Sequence, residues 1–239
     1  MSNSLSIPEA ARVLELSAAR VRLLASQGQI PATKIGGRWV VELSAVEQRR
    51  QESSPVGRRF TPKNAWAALI LASGEEPQID PVVRSRLKRS LLLEGLWGLA
   101  PRLRDRAEVA LFSAHPGEIP YVLEDEALMR SGISAAGSVG SDLLPGSEAD
   151  GYVGESGLKK FLSRHALSPV AGGAEGNLRL RAVPDDAWRS LDLDSRLVAP
   201  KAAVALDLAA EHDARSQAAG RKLLREMDRE NRKNLKRRG

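Results

Sequence analysis

Four cations at short spacing carry the clearest chemistry in this chain. Arg20 and Arg22 stand two residues apart in the run that begins at Ser17, and Lys34 and Arg38 flank the dipeptide Gly36-Gly37. A guanidinium is a rigid fork of donors that can grip a phosphate oxygen or the acceptor edge of guanine, and a lysine adds a point charge. Small neighbours matter as much as the charges, because Ala18 and Ala19 let a backbone come close to another molecule. The candidates for contact with nucleic acid are therefore Ser17, Ala18, Ala19, Arg20, Arg22, Lys34, Gly37 and Arg38.

Other chemistries find little to work with. The three histidines, His115, His165 and His212, have no second histidine or cysteine at metal-ligand spacing. His115 precedes Pro116-Gly117 and reads as a satisfied loop residue. Glu124-Asp125-Glu126 are adjacent acids that would diverge on a helix, so a solvated face accounts for them. Ser138-Val139-Gly140-Ser141 is not a nucleophile elbow, and no phosphate-binding G-x-x-x-x-G-K-[ST] run occurs. Gly172-Gly173-Ala174-Glu175-Gly176 joins two strand-like runs with no helix after it, and reads as a hairpin loop. With no cysteine at all, thiolate sites and disulfides are excluded. The sequence predicts a protein that is not an enzyme and holds no cofactor or metal.

The elements that must position the four cations can be read from caps and periodicity. Ser17 is an N-cap whose hydroxyl can accept a first-turn N–H. Ala18, Val21, Leu24 and Ala25 then recur at helical spacing and should face a small core, with Ala19, Arg20, Arg22 and Ser26 outward. Gly28 supplies a stop. Ala32–Ile35 and Arg38–Val41 are strand-like, and Gly36-Gly37 between them suits a two-residue hairpin turn. Trp39 is expected to pack beneath that hairpin. Ser6 with Glu9, and Ser44 with Glu47, have the Ser-x-x-Glu spacing of a capping box.

Residues 5 to 50 resemble the MerR/excisionase type of winged helix-turn-helix. Leu5-Ser6-Ile7-Pro8-Glu9-Ala10-Ala11 opens the first helix and Leu16-Ser17 the second. Ile35-Gly36-Gly37-Arg38-Trp39 forms the wing, and Ser44-Ala45-Val46-Glu47 begins a closing helix. The resemblance implies binding of double-stranded DNA through the second helix and the wing.

Charge is unevenly distributed along the 239 residues. Residues 1–63 carry +5, residues 64–220 carry −5 and residues 221–239 carry +6. Basic ends around an acidic middle imply that nucleic acid meets the ends and another partner the middle. No secretion signal is evident, and no run of about 18 apolar residues could span a bilayer. The expectation is a cytoplasmic protein, and the Ala-, Arg- and Leu-rich, Lys-poor composition is of the kind associated with GC-rich bacterial genomes.

The expected architecture is α+β. A winged helix-turn-helix fills 1–50 and a polar linker 51–60. The body at 61–239 has a helical part to 104, a mixed part over 105–198, and C-terminal helices with a basic tail over 199–239. Thr61-Pro62 and Asp80-Pro81 each open a helix. Ala65, Trp66, Leu69 and Ile70 mark one face of the first, while Val83, Leu87 and Leu91 mark a stripe on the second, which runs to about Glu94. Ala107, Val109 and Leu111 alternate as in a strand. Ile119–Leu123 reads as a short helix, Tyr152-Val153 as a strand, and Ser156–His165 as a helix burying Leu158, Phe161 and Leu162. Leu178, Leu180 and Ala182 alternate with Arg179 and Arg181, giving a half-buried strand with a basic outer face. Ala199-Pro200 opens a helix through Leu208. Asp213 caps a last one, interrupted at Gly220 and fraying past about residue 230.

Within the body, Gly151-Tyr152-Val153, Asn177-Leu178-Arg179-Leu180-Arg181 and Asp186-Ala187-Trp188 follow one another in an order similar to AbiEi-type antitoxins. Ala199-Pro200, Ala205-Leu206-Asp207-Leu208, Arg215, Ala219-Gly220 and Leu223-Leu224 continue that order. This resemblance implies the antitoxin of a type IV toxin–antitoxin system, repressing its own operon and neutralising a nucleotidyltransferase-like toxin. The partners expected are thus double-stranded operator DNA, that toxin, and further copies of the chain on DNA. Two other readings stand beside it. One is an excisionase-like recombination directionality or DNA-architectural factor, and the other is a repressor that senses a small molecule.

Overall fold

The computed structural model describes residues 4–14, 16–26, 30–46, 58–144, 146–170, 176–211 and 213–236, with side chains to 233. The chain divides into two compact units, residues 1–58 and 59–239.

In the first unit a short strand β1 (Ser4–Ser6) runs into helix α1 (Ile7–Leu14). Leu5 and Ser6, expected at the opening of the helix, are instead paired with Val41 and Val40. Helix α1 buries Ile7, Ala10, Ala11 and Leu14, an i, i+3, i+4, i+7 stripe. Helix α2 (Ala18–Ser26) buries Val21, Leu24 and Ala25 against it. Strands β2 (Ala32–Ile35) and β3 (Arg38–Glu42) complete an antiparallel sheet of order β1-β3-β2. A helical turn at 43–46 closes the unit, and its Ala45 and Val46 are buried. Ser44 lies inside that turn rather than ahead of it. Its proposed partner Glu47 lies outside the described residues, as do Gly28 and most of the linker.

The second unit is built around α3 (Pro62–Ala72). Thr61 caps it by accepting from the Asn64 N–H at 3.3 Å, and Ala65 through Ala72 are all buried. The sequence pattern predicts one apolar face; with no charged side chain from Ala65 to Ala72, and the Trp66 indole N–H donating to the Arg106 carbonyl at 3.0 Å, the helix is covered on every side. Arg59 and Phe60, assigned to the linker by sequence, belong to this unit: Arg59 pairs with Asp105, and Phe60 lies under the Arg102 guanidinium at 4.2 Å.

Helix α4 (Pro81–Leu99) is capped by Asp80 and breaks at Gly95, whose φ of 70° leaves the helical region. The break exposes the Leu96 N–H, which donates to Asp228 Oδ1 at 2.9 Å. Burial holds that carboxyl above its ordinary pKa, and the Leu96 bond acts the other way.

A five-stranded sheet of order β5-β6-β8-β4-β7 follows. Its strands are β4 (Glu108–Ser113), β5 (Met129–Arg130), β6 (Ala149–Gly154), β7 (Ser168–Pro169) and β8 (Leu178–Val183). β6 and β8 are parallel and joined through α7 (Glu155–Arg164), while the other pairings are antiparallel. The short helices α5 (Ile119–Glu124) and α6 (Gly132–Ala135) lie between the earlier strands. β7 and β8 both pair with β4 rather than with each other, so the glycine-rich run between them is no simple hairpin loop. Its residues 171–175 are outside those described.

The two sheet faces bury separate cores. Tyr152 and Val183 pack with the helices, whereas Val153, Leu178 and Leu180 pack with Phe112 and Phe161. β4 departs from expectation. Val109 and Leu111 are 55% and 39% exposed, and Phe112 turns inward instead.

After α8 (Asp185–Ser190), helices α9 (Lys201–Ala209) and α10 (Ala214–Lys236) pack against each other, and α9 brings Asp207 to Tyr152 and Arg181 of the sheet. Gly220 does not interrupt α10. A Cβ there would overlap the backbone of Ala205 and Ala209, so glycine lets the two helices touch. Nor does the helix end near 230: the Asn231 amide donates to the Ala72 carbonyl at 3.1 Å, tying α10 to the end of α3.

Candidate nucleic-acid interface

Helix α2 starts where the sequence places it. The Arg20 N–H donates to Ser17 Oγ at 3.2 Å, and the Val21 N–H to the Ser17 carbonyl at 3.1 Å. Ser17, Ala18, Ala19, Arg20 and Arg22 are all exposed. Ala18 was also expected in the core, but at the first position of the helix it precedes the buried stripe, which begins at Val21. The outer surface of α2 therefore offers two guanidiniums beside a small-residue first turn whose N–H groups favour an anion. Leu23, 44% exposed, shares that surface.

The opening of α1 is fixed reciprocally. The Ser6 N–H and hydroxyl donate to Glu9 Oε2 at 2.8 and 2.6 Å. Those bonds hold the Glu9 carboxyl below its ordinary pKa, the hydroxyl bond first. Arg12, in the last turn of α1, is exposed as well. Its place on the polar side of the helix was the signal that could have added it to the candidates.

The β2–β3 hairpin turns on Gly36 and Gly37, with φ of 56° and 78°. Two consecutive left-handed residues make the tight turn that matches strand twist. Lys34, Gly37 and Arg38 are exposed. Lys34 pairs with Trp39, and Ile35 with Arg38. Directly opposed residues share a face and successive ones alternate, so the two cations project from opposite faces of the ribbon. Trp39 is half-buried and packs on the unit's core, as expected.

The second unit concentrates charge where the sequence predicts a basic outer face. Arg181 is only 4% exposed. It pairs with Asp150, and its Nε lies 3.5 Å from Asp207 Oδ1. Asp207, buried in α9, accepts from Arg106 Nη2 at 2.5 Å, from Ser131 Oγ at 2.5 Å and from the Tyr152 hydroxyl at 2.8 Å. Arg179 pairs with Glu211. Burial alone would raise the Asp207 carboxyl, but the guanidiniums of Arg181 and Arg106 outweigh it and depress its pKa. Burial raises the Tyr152 phenol well above its ordinary value. What this cluster does is mechanical: it locks β6 and β8 to α9.

A smaller polar centre surrounds His165, whose ring nitrogens lie 2.7 Å from Glu118 Oε1 and 2.8 Å from Asp125 Oδ2. Asp125 therefore turns inward, away from its exposed neighbours Glu124 and Glu126. Burial opposes its ionisation, but bonds from the Ala127 N–H, His165 and Arg164 keep its pKa below the ordinary value. His115 caps a turn by accepting from the Gly117 N–H at 3.1 Å. His212 is not among the described residues. Within the described residues no group of His, Asp or Glu has the arrangement of a metal site, and no helix is long and apolar enough to cross a membrane.

The fold and surface of the first unit define a helix-turn-helix domain, and residues 4–54 match the family model of a helix-turn-helix domain. That match covers about a fifth of the chain. No curated protein and no solved structure matches the sequence.

Proposed function

We propose that this chain is a sequence-specific, DNA-binding transcriptional regulator of the winged, excisionase-like kind. The observation that carries this reading is the exposed surface of α2, where Arg20 and Arg22 stand beside the capped first turn in a unit matched as a helix-turn-helix domain. Placed in the major groove, that surface can set one guanidinium on a guanine edge and the other on phosphate. Lys34 and Arg38, on opposite faces of the hairpin, suit a ribbon lying between two phosphate walls. Titration of the full chain with the DNA upstream of its own coding region, followed by fluorescence anisotropy, tests the reading. Replacing both Arg20 and Arg22 with Ala should weaken specific binding by about 2–4 kcal/mol, with at least one base position losing its preference. Unchanged affinity in that variant removes α2 as the reading element.

The finer reading is an autorepressing antitoxin whose body neutralises a nucleotidyltransferase-like partner. Its support is the order of body motifs shared with antitoxins, among whose residues Tyr152, Arg181, Trp188, Asp207 and Leu224 are all buried within the second unit. Co-expression with a nucleotidyltransferase-family protein encoded next to this chain should give a stable co-purifying pair and relieve its toxicity. An integrase gene in that position would favour a recombination factor instead.

A further inference from the structure

A neutral imidazole carries one N–H and one bare nitrogen, and only the doubly protonated ring can donate from both sides. His165 Nδ1 lies 2.7 Å from Glu118 Oε1, and its Nε2 lies 2.8 Å from Asp125 Oδ2. Both separations are those of hydrogen bonds, so a bare nitrogen on either side would press a lone pair against a carboxylate oxygen. The geometry is that of an imidazolium.

The main chain fixes the ring in this position. His165 caps the C-terminal end of α7, where free carbonyls favour a cation. Ala166 follows with φ of 48°, and the Leu167 N–H donates back to the Leu162 carbonyl at 3.0 Å. The Phe161 ring stands 4.9 Å from the imidazole, and His165 is buried. Titratable groups face it from each neighbouring element: Glu118 from the turn 116–118, Tyr121 and Glu124 from α5, Asp125 and Glu126 from the loop beyond, and Arg164 from α7. All of these except Glu118 line an open cleft of about 520 Å³ together with the ring.

The two carboxyl groups are held unequally. The Asp125 side chain is 6% exposed and also accepts from the Ala127 N–H and from Arg164. The Glu118 side chain is 34% exposed, and His165 is its only ion-pair partner among the described residues. A ring with one proton therefore keeps Asp125 and turns its bare Nδ1 to Glu118, which can swing into water. Glu118 immediately precedes α5, whose six residues bury only Ile119 and Val122. So short a helix depends on contacts outside itself.

We propose that His165 is a proton-operated clasp that ties the start of α5 to the end of α7. The clasp is closed while both ring nitrogens carry protons. Loss of one proton, on the alkaline side of the ring's titration, releases Glu118 and loosens residues 116–124. The second unit thereby responds to proton concentration beside a surface cleft. This response needs no DNA and stands apart from the reading of α2.

The test takes the full chain from about pH 5 to 9, a range that spans the usual titration of histidine. Hydrogen exchange of 116–124, corrected for the intrinsic pH dependence of exchange, is measured beside the imidazole C–H shifts of His165. Protection should fall by about tenfold or more in step with the loss of the ring's charge. His115, exposed in the same turn, is a competing cause, and His165→Gln leaves it in place. That variant should show low protection with no pH step. Glu118→Gln should retain protection and lose the step, because an amide can accept from the ring or donate to it. Protection that stays level through the ring's titration overturns the proposal, as does a ring whose charge is constant over the range. A step that persists in either variant overturns it too.

Discussion

Asp207→Ala is the most demanding test of how the second unit is held together. The carboxylate accepts from Arg106, Ser131 and Tyr152 and faces Arg181 from a residue only 1% exposed. Removing it strands a buried guanidinium, which costs roughly 3–5 kcal/mol. The Ser131 and Tyr152 hydroxyls each lose an acceptor, at about 1 kcal/mol apiece, though relaxation shares part of that cost. The expected loss is therefore about 4–6 kcal/mol, much of the margin of a domain this size. Urea denaturation of the full chain at pH 7, followed by tryptophan fluorescence, is a suitable assay because Trp66 packs edge-on to Tyr152 at 4.7 Å. Asp207→Asn keeps an acceptor while losing the charge, and should fall between parent and alanine variant. The folded pKa of Asp207 is depressed below the ordinary aspartate value by the guanidiniums of Arg181 and Arg106. Its contribution is thus fully present above that value and is lost as pH falls through the lower, folded one. The gap between parent and Asp207→Asn should stay level from pH 5 to 8 and narrow in stronger acid. A loss under about 1 kcal/mol in the alanine variant would show that Arg106 and Arg181 find other partners, and would refute the locking role.

Three further perturbations separate roles that the structure assigns. Arg38→Ala should weaken binding across DNA sequences alike and lower the salt slope by about 1, because a phosphate contact carries no base information; a change at one base position alone would count against it. Gly220→Val forces a branched side chain into the backbone of α9, and should cost about 2–4 kcal/mol in urea melts; a parent-like melt would mean α9 and α10 can separate freely. Asp228 should respond oppositely to Asp207. Its folded pKa is raised, so it penalises the folded state as pH rises through that value. Asp228→Asn should melt at or above the parent at pH 7 while keeping an acceptor for Leu96, whereas Asp228→Ala should lose about 1 kcal/mol; a destabilised asparagine variant would contradict the direction of that shift.

The first unit was legible because its signals are local. Ser6 with Glu9, Ser17 with Arg20, and Gly36-Gly37 each act within four residues, and each appears where the sequence puts it. β1 was missed for the converse reason. Three residues have no periodicity of their own, and Ser4–Ser6 form a strand only because β3 offers them an edge. The opposition of Lys34 and Arg38 follows from register, which can be counted once the two-residue turn is accepted.

In the second unit, helix starts survive translation from sequence to structure, and the fate of polar side chains does not. Leu178, Leu180 and Ala182 alternate with Arg179 and Arg181 as an amphipathic surface strand would. The pattern cannot reveal that Asp150 and Asp207, 31 and 26 residues away, wait on the other side. A buried arginine is tolerated only where carboxylates meet it, and those partners are fixed by the order β6-β8-β4 and by α9 lying over it. The same long-range logic moved the end of α10. Judged by apolar content, residues past Asp228 could not hold a helix in place. Yet Asp228 caps the broken α4 and Asn231 caps the end of α3, so two polar side chains moor the helix where hydrophobic burial would not. The Leu96 N–H and the Ala72 carbonyl create the demand, and α10 supplies the answer.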